Sequence, residues 1–150
     1  MAAWIWPVLR WSQMGCREAR EGTGELVFAC GHPVLMQLPA QWLAGFLLAA
    51  AMGSGVLLRF IVSGDTGSLL TWLAAAAFIP SLALMLGVVT ASSKVFEVVY
   101  LMLCYAGPMS GVAGLDFIAA RTPGVPSVWF GCAAASLAIA TLWRWRQLAR

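Results

Sequence analysis

The stretch Leu69-Leu70-Thr71-Trp72-Leu73-Ala74-Ala75-Ala76-Ala77-Phe78-Ile79-Pro80-Ser81-Leu82-Ala83-Leu84-Met85-Leu86-Gly87-Val88-Val89 contains no charged residue. A helix rising ~1.5 Å per residue needs about 20 apolar residues to cross ~30 Å of hydrocarbon, and this stretch is long enough. Three further apolar stretches, roughly Trp42 to Val62, Val95 to Val112 and Val125 to Trp143, accompany it. The expected fold is an all-α integral membrane protein with about four transmembrane helices.

The composition points the same way. Hydrophobic residues make up 61% of the chain and charged residues 10%, and the mean hydropathy is +0.85. That balance is far from the balance of a soluble globular domain. The net charge of +3 comes from scattered basic residues with no basic, aromatic-interleaved run, which argues against nucleic acid as a partner. Cys16, Cys30, Cys104 and Cys132 lack metal-site spacing and read as small packing residues. His32 is the sole histidine and has no Ser or Cys partner in a nucleophilic arrangement, so no enzyme, metal or cofactor is expected.

Three regions follow: a cytoplasmic or interfacial segment over 1–41, a four-helix membrane domain over 42–143, and a basic cytoplasmic tail over 144–150. Met1 to Val8 lacks a basic n-region, contains Pro7 and runs into Arg10, which argues against a signal peptide. Ala2, Trp4, Ile5, Trp6 and Trp11 read as an interfacial helix end with Trp at headgroup depth. This piece fits either an amphipathic lead-in or the end of a truncated upstream helix. Arg10, Arg17 and Arg20 precede the first span, Lys94 lies between the second and third, and Arg144, Arg146 and Arg150 follow the fourth. With four crossings these fall on one side, leaving Arg59 and Arg121 on the other, so both termini are expected to be cytoplasmic.

Within the spans, Pro39 fits a first helical turn, and Gly45, Ala49 and Gly53 form a small-residue stripe suited to close packing inside the bundle. Gly131 and Ala135 offer a similar stripe on the fourth span. Asp65, Thr66 or Ser68 is placed to cap the second helix, and mid-span Pro80 is expected to kink it. In the third span Glu97, Tyr100, Cys104, Gly107 and Gly111 recur at helical spacing and form a polar or small stripe facing the bundle. Glu97 lies one turn from Lys94, so an interfacial ion pair competes with proton coupling or substrate contact as its role. Residues 108–124, with Pro108, Gly111, Gly114, Asp116, Arg121, Pro123 and Gly124, fit a re-entrant excursion and a plain loop equally. The charged stretch holding Arg17, Glu18, Arg20, Glu21 and Glu25 reads as a solvated face or as a docking element for a soluble partner. Arg17 and Glu21 are set for an i,i+4 pair, and Gly22 and Gly24 stop the helix.

Several strings carry a resemblance. They are Trp11-Ser12-Gln13-Met14-Gly15-Cys16-Arg17-Glu18, then Glu25-Leu26-Val27-Phe28, His32-Pro33 and Leu38-Pro39-Ala40-Gln41-Trp42-Leu43-Ala44-Gly45. Ser92-Ser93-Lys94-Val95-Phe96-Glu97-Val98-Val99-Tyr100, Tyr105-Ala106-Gly107-Pro108-Met109-Ser110-Gly111-Val112 and Leu115-Asp116-Phe117 continue it. Over about residues 10–118 the chain resembles the late, C-terminal membrane region of bacterial ATP-binding-cassette (ABC) permeases of the type-2 exporter class. The resemblance implies a permease in the bacterial cytoplasmic membrane, working with a separate ATP-binding subunit that touches Arg17 to Glu25. Members of that class are longer, with further spans upstream, which implies a truncated or split permease.

The residues agree on one point. No G-x-x-x-x-G-K-[ST] loop is present, and the single lysine, Lys94, follows Ala91-Ser92-Ser93, so energy from ATP must come from a partner. Three functions fit these residues: a permease subunit or fragment, a small proton-coupled exporter using Glu97, and a non-transporting membrane scaffold.

Overall fold

The computed structural model describes residues 6–22, 33–110 and 125–148, and among them every regular element is helical. The elements are α1 (Val8–Trp11), α2 (Arg17–Glu21), α3 (Pro33–Met52), α4 (Ser54–Ser63), α5 (Thr66–Thr90), α6 (Ser93–Cys104), a π-helical turn (Tyr105–Met109) and α7 (Pro126–Leu148). α5 and α7 are each long and apolar enough to cross a membrane, and α3 with α4 makes a third candidate if the bent pair is one span.

α5 is the axis of the molecule. It is apolar around its whole circumference, and a helix without a polar face has to be enclosed. α1, α3, α4, α6 and α7 all pack against it, α7 most extensively. Its buried residues run from Ser68 to Val88. The Asp65 carboxylate starts the helix, accepting hydrogen bonds from the Ser68 amide (3.1 Å) and hydroxyl (2.6 Å). Pro80 does not interrupt it. The helix is continuous from Thr66 to Thr90, and next to the proline the Ser81 hydroxyl donates to the Ala77 carbonyl (2.7 Å) and accepts from the Trp42 indole N–H (2.9 Å).

Neighbouring contacts give the directions. Trp42 meets Ser81 while Leu38 packs with Leu84 and Val88, so α3 runs antiparallel to α5. Phe78 stacks obliquely on Trp129 at 5.1 Å, and Leu137 packs on the Leu84–Val88 cluster, so α7 runs parallel to α5.

The expected spans differ from the helices in three places. The first is bent by 67° at Gly53. Gly53 has φ −96 and ψ 6, outside the helical well, and Gly53-Ser54-Gly55 is a weak helix-forming run. Among the described residues, the span expected over Val95 to Val112 holds a 12-residue helix before the π turn, whose Ser110 N–H bonds back to the Tyr105 carbonyl (2.8 Å). Pro108 lies in that turn and lacks the amide that would continue the α-helical ladder. Finally, α3 begins at Pro33, so Pro39 lies inside it rather than in its first turn.

Candidate functional site

The chain from Pro7 to Glu21 forms an elbow that enters the bundle and leaves it again. α1 lies against α5 and α6, which turns Pro7, Val8 and Trp11 inward. Trp11 has no exposed surface. Its indole N–H donates to the Gly45 carbonyl (3.2 Å), and its ring stands 6.0 Å from that of Tyr100. Trp11 is therefore a core residue and not the headgroup-depth anchor its position suggested, whereas Trp6 is exposed.

Beyond Trp11 the main chain runs over the C-terminal half of α5. Gly15 is left-handed (φ +78), and a Cβ there would sit 2.9 Å from the Leu84 carbonyl. From the other direction, a Cβ on Gly87 would run into the Met14 carbonyl. Only glycine permits this approach of turn backbone to helix. Arg144 of α7 closes the seat: its Nη2 donates to the Gly15 carbonyl (3.4 Å), and only 5% of the residue is exposed. A buried guanidinium is tolerated where carbonyls receive its protons. Arg144 thus belongs to the packed bundle, and the helix expected to end in a basic tail at 144 continues to Leu148.

Held this way, the elbow presents α2 outward. Arg17, Arg20 and Glu21 are exposed, and Gly22 follows in the left-handed region that ends the helix. Arg17 and Glu21 do not form the i,i+4 ion pair for which they are spaced. Glu18 lies within α2. Glu25, Cys30 and His32 lie outside the described residues, as do Gly111, Asp116 and Arg121.

An open cleft of about 550 Å³ separates the elbow from the start of α6. Ser12, Gln13 and Arg20 line one wall, and Ser93, Lys94 and Glu97 the other. Lys94 Nζ pairs with Glu97 Oε2 at 3.1 Å. Lys94 is 81% exposed and Glu97 20%, so the pair sits at the mouth.

The polar stripe expected on the third span departs at one described position. Tyr100, Cys104 and Gly107 are buried, but the position one turn before Tyr100 on that face is held by Phe96 and not by Glu97. Phe96 stacks on Tyr100 at 5.6 Å, and the Tyr100 hydroxyl meets the Cys104 thiol. The apolar ring takes the inward place, and the carboxylate, ~100° away around the helix, reaches the cleft.

Gly45, Ala49 and Gly53 are all buried. A Cβ on Gly45 would lie 2.8 Å from both Met14 Cε and Pro80 Cβ, so the stripe faces α5 and the elbow. Gly131 and Ala135 are exposed, and nothing lies within 4 Å of a Cβ on Gly131. The face of α7 that packs is Trp129, Ala133, Ser136, Ala140 and Arg144. That spacing of four, three, four and four in the sequence was the available signal for Arg144; Gly87 had none. Among the described residues no group of three or more His, Cys, Asp and Glu side chains could hold a metal, and Cys16, Cys104 and Cys132 are free thiols.

No protein-family model, curated protein or solved structure matches this chain.

Proposed function

We propose that the chain is the permease subunit, or a fragment of the permease, of an ATP-binding-cassette transporter in the bacterial cytoplasmic membrane. In this reading it crosses four times, has both termini cytoplasmic, and draws energy from a separate ATP-binding subunit docked on α2. The observation that carries the proposal is the seating of the elbow. A subunit driven from outside the membrane needs an element that passes displacement into its helices, and packed, bistable contacts transmit motion that a loose tether absorbs. α2 follows directly on Gly15 and Cys16, which are wedged between α5 and α7.

The charge distribution supports the orientation. The antiparallel α3 and parallel α7 bring Arg17, Arg20, Lys94, Arg144 and Arg146 to the end of the bundle where α5 finishes. Arg59 stands near the opposite turn. Cytoplasmic flanks are the ones enriched in Lys and Arg. The Lys94–Glu97 pair at the cleft mouth favours an interfacial role for Glu97 over proton carriage.

The test is an affinity pull-down of the tagged chain from native membranes in mild detergent, alongside the Arg17→Ala/Glu21→Ala double variant. Recovery of a phosphate-loop ATPase with the wild type, and its loss with the double variant, is the expected result. Folded, abundant protein that brings down no ATPase would overturn the proposal.

A further inference from the structure

The opposite side of the elbow holds a second concavity, of about 340 Å³, between α1 and the middle turns of α3. Its rim carries Arg10, Arg17 and Gln13, and its floor is Trp11, Met14, Ala44 and Leu48. No carboxylate is among its described lining residues, and neither arginine forms an ion pair with a described residue. The groove therefore joins two cations to an apolar floor. Along α3 the floor continues into the exposed side chains of Leu43 and Leu47.

We infer that this groove binds an anionic phospholipid, with the headgroup phosphate between Arg10 and Arg17 and the start of an acyl chain along Ala44, Leu47 and Leu48. The charge complementarity selects the headgroup. Two guanidiniums reach one phosphate in the forked geometry that arginine favours, and Gln13 adds a neutral donor for the glycerol or headgroup oxygens. A free phosphate would use the rim and leave the apolar floor wet, so the whole surface fits only a molecule that is anionic at one end and aliphatic at the other. The position suits it as well: Arg17 follows the turn that crosses Leu84 and Val88, whereas Gly45 of the groove packs at Pro80 near the middle of α5, so the groove runs from the basic end of the bundle inward, and anionic lipid is attracted to basic residues at that end. The inference rests on the membrane placement proposed above, but not on the permease assignment.

Native mass spectrometry of the full chain, released from detergent with equimolar phosphatidylglycerol and phosphatidylcholine, tests it. Phosphatidylglycerol should be retained roughly 10- to 30-fold more than phosphatidylcholine, as two basic contacts imply. Arg10→Gln/Arg17→Gln should abolish that preference, whereas Arg146→Gln, outside the groove, should preserve it. Ala44→Phe fills the floor without altering charge and should reduce phosphatidylglycerol retention, which keeps the test decisive should the double variant fail to fold. Equal retention of the two lipids by the wild type overturns the lipid site and leaves the membrane placement standing. Displacement of phosphatidylglycerol by inorganic phosphate overturns it in favour of a free-anion site. Retention of neither lipid overturns the site.

Discussion

A methyl group at Gly87 would meet main-chain atoms of the elbow, which cannot swing aside as the end of a side chain can. Gly87→Ala should therefore destabilise the bundle by about 1–3 kcal/mol, read as earlier thermal unfolding in mild detergent, in line with other overpacked sites. Gly131→Ala, with nothing within 4 Å of the new methyl, should unfold with the wild type. Asp65 gives a pH prediction. Its hydrogen bonds from Ser68 hold the carboxyl below its ordinary value of 3.8. Because the folded value is the lower one, the cap contributes fully above 3.8 and is lost as pH falls through the folded value. Wild-type thermal stability should thus drop on acidification below 3.8 by more than that of Asp65→Asn, whose amide caps without titrating. The two residues differ in how readable they are. Asp65 stands in a Ser-Gly-Asp-Thr-Gly turn before an apolar run, a local pattern with a local meaning. Gly87 sits between Leu86 and Val88 with nothing nearby to say that Met14 would cross it.

Among the elements, the bent pair α3–α4 makes the sharpest claim. At ~1.5 Å per residue, a straight helix would place positions 43 and 62 about 28 Å apart along the backbone, whereas a 67° bend at Gly53 shortens this to about 24 Å. Spin labels on Leu43→Cys and Val62→Cys, with the native cysteines replaced by serine, should report the shorter separation. A distance at the longer value would mean that Trp42 to Val62 is one straight rod. The composition of this stretch identified its apolar character but not its bend, because Gly53 reads equally well as a packing residue and as a hinge, and it serves as both. The extent and central place of α5 were legible, since a helix without a polar side leaves no choice about where it must lie, but its continuity through Pro80 was not. On α6 the expected stripe held at Tyr100, Cys104 and Gly107 and failed at Glu97. Phe96 and Glu97 are adjacent, and the choice between them was made by the α1–α5 wall that receives the phenyl ring.

For the molecule as a whole, the arrangement of chain directions makes a sidedness prediction. In cells expressing single-cysteine variants, a membrane-impermeant thiol reagent should reach Arg20→Cys, Lys94→Cys and Arg146→Cys from one side of the membrane and Asp65→Cys from the other. Labelling of Asp65→Cys and Lys94→Cys from the same side would mean that α5 does not cross. Helical content and apolar character were readable from the sequence because they are properties of single stretches. The seat of the elbow was not, because it joins Gly15 to a residue 129 positions away. That separation also governs biogenesis. The elbow is synthesised before the wall supplied by Arg144, 129 positions further along the chain. Until α7 is synthesised and inserted, the Gly15 carbonyl lacks its guanidinium donor and the groove over Gly87 stands half built. The nascent chain must therefore hold the elbow in waiting, and a ribosome stalled before α7 would leave α2 without a firm base.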